Sequence, residues 1–417
     1  MNKNNENKLV PRLRFPEFEN AGEWEVKRLG EVFKSFSGGT PDTSKKEYYN
    51  GKIPFIRSAE IGKLSTELFI TETGLENSSA KMVKKGDLLV ALYGANSGDV
   101  AISKIDGAIN QAILCFQSEY SNEFTCHFLS GKKNWIVSKY VQGGQGNLSG
   151  EIVKSISLPF PSLPEQQKIA ACLSSLDEVI TAESQKLELY QQHKKGLLQN
   201  LFPKAGETVP KFRFKEFEDS GEWKSDIAKN VFSIFQGFAF SSNDSVDNGV
   251  RWLKIADVGI QQINHQSPSN LPIEFKEKYK DFLVKEGDYV IALTRPILNK
   301  KLKISKVDNI LNESLLNQRV GKLISNECID FVYYLLQTSK LISTIEQNIA
   351  GSEPPNLSTQ QIENIEVCIP STIEEQQKIA ACLSSLDDLI NAQRQKIELL
   401  KQHKKGLLQG LFPPINN

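Results

Sequence analysis

Histidines, cysteines, acidic residues and glycine runs are where this chain could do covalent or metal chemistry, and their spacing argues against it. The four histidines, His127, His193, His265 and His403, are scattered, with no HExxH pair, and no GxxxxGK[ST] phosphate loop is present. The six cysteines form no CxxC pair, so neither zinc nor a disulfide framework is expected. The run Gln142, Gly143, Gly144, Gln145, Gly146 could cradle a phosphate, but its counterpart around Ser352, Glu353, Pro354, Pro355 lacks those glycines. Pro41 and Asp42 resemble the start of a nuclease metal motif, without a later acidic residue and lysine at the required spacing. The sequence predicts no catalytic centre and no metal.

The elements that would position any site are two long helices. Residues 165–203 recur at 375–413, 210 residues later, with 30 of 39 positions identical. Ser162 with Glu165, and Ser371 with Glu374, fit capping boxes at their starts, and Pro203 and Pro413 mark their ends. Apolar residues follow a period near 3.5: Ile169, Leu173, Leu176, Ile180, Leu187, Tyr190, Leu197 and Leu201 in the first copy. Ile379, Leu383, Leu386, Ile390, Ile397, Leu400, Leu407 and Leu411 keep the same register in the second. Polar gaps fall at Glu183 with Lys194 and at Gln393 with Lys404, residues that can fix register and orientation. The expectation is an antiparallel coiled coil within one chain, each helix roughly 55 Å long. Cys172 and Cys382, beside the seam, are expected to be buried reduced thiols.

Off the seam, Ala170, Ala171, Ser174 and Ser175 are small and recur unchanged as Ala380, Ala381, Ser384 and Ser385. Small residues let another backbone approach, so these eight are candidate partner-binding residues, one set for each of two copies of the same partner.

The segments outside the helices are a more worn repeat. Pro11 to Phe15 and Gly22, Glu23, Trp24 reappear as Pro210 to Phe214 and Gly221, Glu222, Trp223. Asn110, Gln111 match Asn317, Gln318, and Asn147, Leu148, Ser149 match Asn356, Leu357, Ser358. Residues 86–92 and 287–293 each read as a turn followed by a buried strand, with short strands near 53–57, 112–116, 250–255 and 320–324. Helices are expected at 122–130 and 328–337. The fold class is α+β: two pseudo-repeat domains of mixed α/β structure, at 1–162 and 204–372. The helices occupy 163–203 and 373–413, followed by a tail at 414–417.

The 417 residues, 39% hydrophobic and 24% charged, suit two cores, and a formal charge of zero argues against indiscriminate nucleic-acid binding by the free chain. No apolar run approaches membrane-spanning length and residues 1–8 are rich in Asn and Lys without an apolar signal, so a cytoplasmic location with no membrane is expected.

Two Glu-Gln-Gln-Lys-Ile helix starts, at Glu165 and Glu375, each follow a Pro-containing strand end and an Asn-Leu-Ser turn. This arrangement, with the Gly38, Gly39, Thr40, Pro41 tract and the Ile53, Pro54, Phe55, Ile56 strand, resembles the specificity subunit of type I restriction-modification systems. The second domain departs from the tract, with Gln236, Gly237, Phe238, Ala239, Phe240 in its place.

The resemblance implies two target-recognition domains, each reading half of a split, asymmetric site in double-stranded DNA, held apart by the helices. Half-sites read from one side of the duplex are favoured at about 34 Å, a spacing that a rod of this length can set. It further implies two methylation subunits docked on the helices, adenine methylation with S-adenosylmethionine, and nuclease subunits using ATP and Mg2+. The chain itself would be non-catalytic and would hold no cofactor. The alternatives are a specificity subunit of another methylase-nuclease design, or a coiled-coil scaffold without DNA. Candidate base-reading residues are Thr40, Arg57, Ser58, Tyr93, Asn96 and Gln145 in the first domain. Gln236, Lys254, Thr294, Arg295, Asn299 and Ser352 are their counterparts in the second. The recurring Asn110, Gln111 and Asn317, Gln318 are assigned to scaffold hydrogen bonds.

Overall fold

A computed structural model of the chain describes residues 9–140, 147–349 and 354–414. It divides into two units, Met1–Gln185 with Gln395–Asn417, and Lys186–Arg394. Each unit therefore contains one mixed domain, the start of one long helix and the end of the other.

In the first unit, Lys34–Ser37, Ile113–Gln117, Leu88–Ala91 and Val100–Ile102 make an antiparallel four-stranded sheet in that order. A second sheet runs Phe69–Ile70, Tyr49–Ile56, Gly107–Ile109, Lys81–Val83, with Phe55 and Ala108 in parallel register. Leu88–Ala91 is wholly buried, as its unbroken apolar run requires. It starts from a turn in which Gly86 has φ +98° and Asp87 Oδ2 accepts from Lys84 N. Glu25–Arg28 pairs with Ser157–Phe160 and leads the chain to the first long helix, Leu163–Asn200.

The second unit repeats this order. Phe232–Gln236, Val320–Ser325, Tyr289–Ala292 and Ile304–Lys306 form one sheet, and Asn270–Leu271, Val250–Leu253, Ser314–Leu316 and Leu283–Val284 the other. Gly287, with φ +92°, and Asp288 repeat the turn. Gly38 and Gly237 are equivalent: a Cβ would lie 1.8 Å from the Ile109 carbonyl oxygen in one and 2.3 Å from that of Leu316 in the other. Only glycine permits that approach, which explains why it survives where the surrounding tract diverges. The strands and helices expected from the sequence are present, with ends shifted by a few residues.

The second long helix spans Ile373–Leu411. In the first unit Ile169, Ala170 and Leu173 from the start of one helix, and Leu411 and Phe412 from the end of the other, enter one core with Phe124 and Phe128. The Phe412 and Phe128 rings meet edge to face at 4.7 Å. In the second unit Ile379, Ala380, Leu383, Leu201 and Phe202 do the same, with Phe202 stacked on Phe331 at 5.4 Å. The helices run antiparallel in each unit, since Asp177 pairs with Lys404 and Glu183 with Lys396 in the first, and Lys194 with Asp387 in the second. The polar seam positions Lys194 and Lys404 are thus cross-helix ion pairs.

Three expectations are corrected. Glu165 does not cap its helix; its carboxylate accepts two 2.8 Å hydrogen bonds from the Arg14 guanidinium. The second helix begins at Ile373, so Thr372 rather than Ser371 precedes it. Cys172 and Cys382 are free but only half-buried. Among the described residues, no helix is long and apolar enough to cross a membrane.

Candidate nucleic-acid interface and helix faces

The candidate readers sit on loops that leave buried strands. In the first domain Thr40 is exposed and its hydroxyl donates to Gln111 Oε1 at 2.8 Å. Tyr93, 42% exposed, and Asn96 follow the central strand, in a loop anchored by a hydrogen bond from Gly94 N to Asn147 Oδ1. Leu148 N closes the same loop on Leu92 O at 2.8 Å. Asn110 behaves as scaffold: its side chain accepts from Ala112 N and its carbonyl from Gly38 N.

Arg57 is less available than its type suggested. Its guanidinium donates to Glu60 at 3.0 and 3.1 Å and to Glu67 at 2.5 Å. Burial alone would raise the Glu60 carboxyl. Hydrogen bonds from Arg57, from the Glu67 and Arg57 backbone N–H groups and from the Thr66 hydroxyl outweigh it and hold the group down at about 2. Arg57 thus braces its own loop, and Ser58 beside it is half-buried in the turn Ser58–Glu60.

In the second domain the loop after Tyr289–Ala292 carries Thr294, Arg295 and Asn299 together. Arg295 and Asn299 are exposed non-glycine residues with φ +47° and +51°, a conformation that costs energy and recurs at functional loops. Arg295 N donates to Pro355 O at 2.7 Å and Thr294 bridges Asn356, so the Asn-Leu-Ser turn holds this loop as it holds the first. Gln236 is exposed, with Nε2 donating to Gln318 O at 2.7 Å. Asn317 accepts from Arg319 N, again as scaffold. Lys254 Nζ lies 4.8 Å from the centre of the Trp252 ring, and its backbone N–H donates to Asp257. Gln145 and Ser352 lie outside the described residues. Among the described residues, no cluster of three or more His, Cys, Asp or Glu could hold a metal ion.

Each domain is clamped to its helices by a feature that sequence reasoning passed over. Arg14 grips Glu165, and Arg213 grips Glu375 at 2.8 and 2.7 Å, with all four side chains buried. Gln166 Oε1 accepts from Ser121 N, and Gln376 Oε1 from Cys328 N, both at 3.1 Å. The signal was present, because both arginines recur together with both Glu-Gln pairs. Part of the identity between the helix starts is therefore explained by contacts within each unit.

A profile of the type I restriction modification DNA specificity domain matches the chain twice, at residues 21–192 and 221–402. The chain belongs to the type I restriction-modification DNA specificity family. It is 29% identical over 407 residues to the type I restriction enzyme MjaVIII specificity subunit of Methanocaldococcus jannaschii, covering 96% of this chain and 93% of that one. The MjaIX specificity subunit of the same organism is 25% identical over 408 residues, covering 93% and 92%. Among solved structures, the type I restriction-modification S subunit from M. genitalium aligns with a TM-score of 0.64 at 16% identity, over 98% of this chain and all of that one.

On the helices of this specificity chain, the candidate docking residues divide. Ala170 and Ala380 turn into their own domain cores and leave the candidate surface. Ser174 is half-buried, with its hydroxyl 3.0 Å from His127 Nε2, and Ser384 is half-buried too. Ala171, Ser175, Ala381 and Ser385 are exposed. Large apolar residues of the same helices are exposed too: Val179 (44% exposed) and Leu399 (65%) in the first unit, Leu389 (50%) and Leu189 (63%) in the second. Gly406 and Gly196 lie inside these helices, and a Cβ on either would meet nothing within 4 Å. A glycine there costs helix stability without an internal reason.

Proposed function

We propose that this chain supplies the DNA address of a type I restriction-modification complex, with one domain for each half of a split, asymmetric site in double-stranded DNA. One observation carries the reading: two units with the same sheet order hold different residues on the same loops. Tyr93 and Asn96 stand in one loop, and Thr294, Arg295 and Asn299 in its counterpart. A duplicated scaffold with altered loops suits two different half-sites. Thr40, Tyr93, Asn96, Gln236, Thr294, Arg295 and Asn299 are the proposed readers, with Lys254 and Ser58 supporting. Arg57 positions its loop.

Two methylation subunits dock on the helices, each against one set of small and exposed apolar residues: Ala171, Ser175, Val179, Leu399 and Gly406 in the first unit, and Ala381, Ser385, Leu389, Leu189 and Gly196 in the second. The support is that both patches recur and neither packs on its own unit. Adenine methylation, with S-adenosylmethionine, belongs to those subunits, and ATP- and Mg2+-dependent restriction to nuclease subunits. The chain itself performs no chemistry and acts in the cytoplasm.

Co-expression with the methylation subunit, followed by single-molecule mapping of methylated adenines, tests this reading. A split motif that requires both chains is expected. Methylation of the same sites without this chain, or a contiguous motif, contradicts it.

A further inference from the structure

The second unit contains a cleft of about 530 Å³ between the end of the first long helix, the Ile297–Leu298 and Lys301–Leu302 hairpin, and the second long helix. Five cations line it: Lys194, Lys195, Lys300, Lys301 and Arg394. Lys194 is buried and pairs with Asp387. The other four have no carboxylate at ion-pair distance among the described residues, and Glu188 is the only acidic residue on the walls. Burial, with Arg394 and Lys301 close by, lowers the Lys194 ammonium from its ordinary value despite Asp387. Beyond the Lys194–Asp387 pair, like charges are thus held together with Glu188 as the one carboxylate among the lining residues.

Two residues of the lining hold a left-handed backbone. Lys300 has φ +56° and Gln261, also on the walls, φ +59°, where glycine would be easier. The first unit lacks the arrangement. Its lysines Lys404 and Lys405 match Lys194 and Lys195, but Ser184 stands where the second helix has Arg394. Its loop reads Gly94, Ala95, Asn96, Ser97, Gly98, Asp99, with no lysine. No lining residue is aromatic, so the walls offer phosphate partners and amides but no platform for a base.

We propose that this cleft is a phosphate-binding site of the second unit and that its ligand is the sugar-phosphate backbone of duplex DNA, held independently of sequence. The proposal rests on the DNA-reading function above and adds a phosphate anchor beside the proposed readers, where the loop that carries Thr294, Arg295 and Asn299 continues into Lys300 and Lys301.

The test uses the complex of the full chain with its methylation subunits. Binding to a duplex carrying the mapped motif, and to a scrambled duplex, is measured against KCl concentration. The paired variant Lys300→Gln with Lys301→Gln is expected to weaken both duplexes by the same factor, on the order of ten-fold at 0.1 M salt, and to lower the salt slope by roughly 2. The methylated motif stays the same. An unchanged slope overturns the proposal, as does equal loss in the control pair Lys215→Gln with Lys224→Gln, exposed lysines that do not line the cleft. Binding of ATP to the wild type and not to the variant, with DNA affinity unchanged, would make the cleft a nucleotide site and overturn it. So would loss of methylation subunits from the variant, which would make it a protein contact. The scrambled-duplex slope reads the cleft even if no motif appears, so failure of the address reading is separable from failure of this one.

Discussion

Lys194 Nζ lies 2.5 Å from Asp387 Oδ1, and at the equivalent positions of the repeat, offset by 210 residues in the sequence, the same pair recurs as Lys404 with Asp177, also at 2.5 Å. In both cases a lysine inside an apolar seam meets an aspartate of the opposite helix, which antiparallel pairing alone allows. Tyr334 Oη also donates to Asp387 at 2.8 Å, tying the recognition domain to this pair. Lys194→Ala is expected to destabilise the second unit by about 2 kcal/mol, because Asp387 would remain without its cation in a partly buried site. Lys404→Ala is expected to cost less, about 1 kcal/mol, because Asp177 is more exposed. Urea unfolding of the two variants checks the order.

Gly196→Ala and Gly406→Ala separate folding from docking. Neither methyl meets a neighbour, so each substitution should stabilise the helix by up to about 1 kcal/mol. If methylation subunits pack on these patches, the same change should weaken co-purification. Stabilisation with unaltered association would place docking elsewhere.

The first unit should show an acid response at His127 that the second unit, with Tyr334 at the equivalent position, lacks there. His127 stands where the second unit has Tyr334, and burial followed by the nearby Lys404 charge lowers it from 6.5 to about 4, against the pull of Asp177. Folded, it stays neutral; unfolded, it charges below about 6.5. The stability it permits is present above that pH and is lost as pH falls toward 4, with a slope of up to about 1.4 kcal/mol per pH unit. His127→Gln should flatten that slope in pH-dependent unfolding.

Arg57 and Arg295 should differ in kind. Arg295→Ala should relax one base position in one half-site, by on the order of ten-fold in methylation preference. Arg57→Ala should lower stability without changing which bases are preferred in either half. A changed motif for Arg57→Ala would return it to the reading residues.

Much of the architecture was legible because its signals are local. Gly86 with Asp87 announces a turn before an apolar run, and the 3.5 period of Ile169, Leu173 and Leu176 announces a seam. What escaped depends on distant partners. The period shows that Ala170 lies off the seam, but only the folded chain shows that Phe124 and Phe128 share the core it enters. Arg57 reads as a base contact until the chain brings Glu60 and Glu67 to it. Glu165 matched a capping rule by spacing, yet Arg14, 151 residues earlier, takes its carboxylate. The strand Glu25–Arg28 is short and largely exposed, so no alternation marked it.

The central claim is that each domain reads its own half-site. The most direct measurement replaces residues 14–162 with the first domain of another family member and maps methylated adenines in the presence of the methylation subunit. The account predicts that one half of the motif changes while the other half stays as it was. Retention of both original halves, or alteration of both, would contradict it.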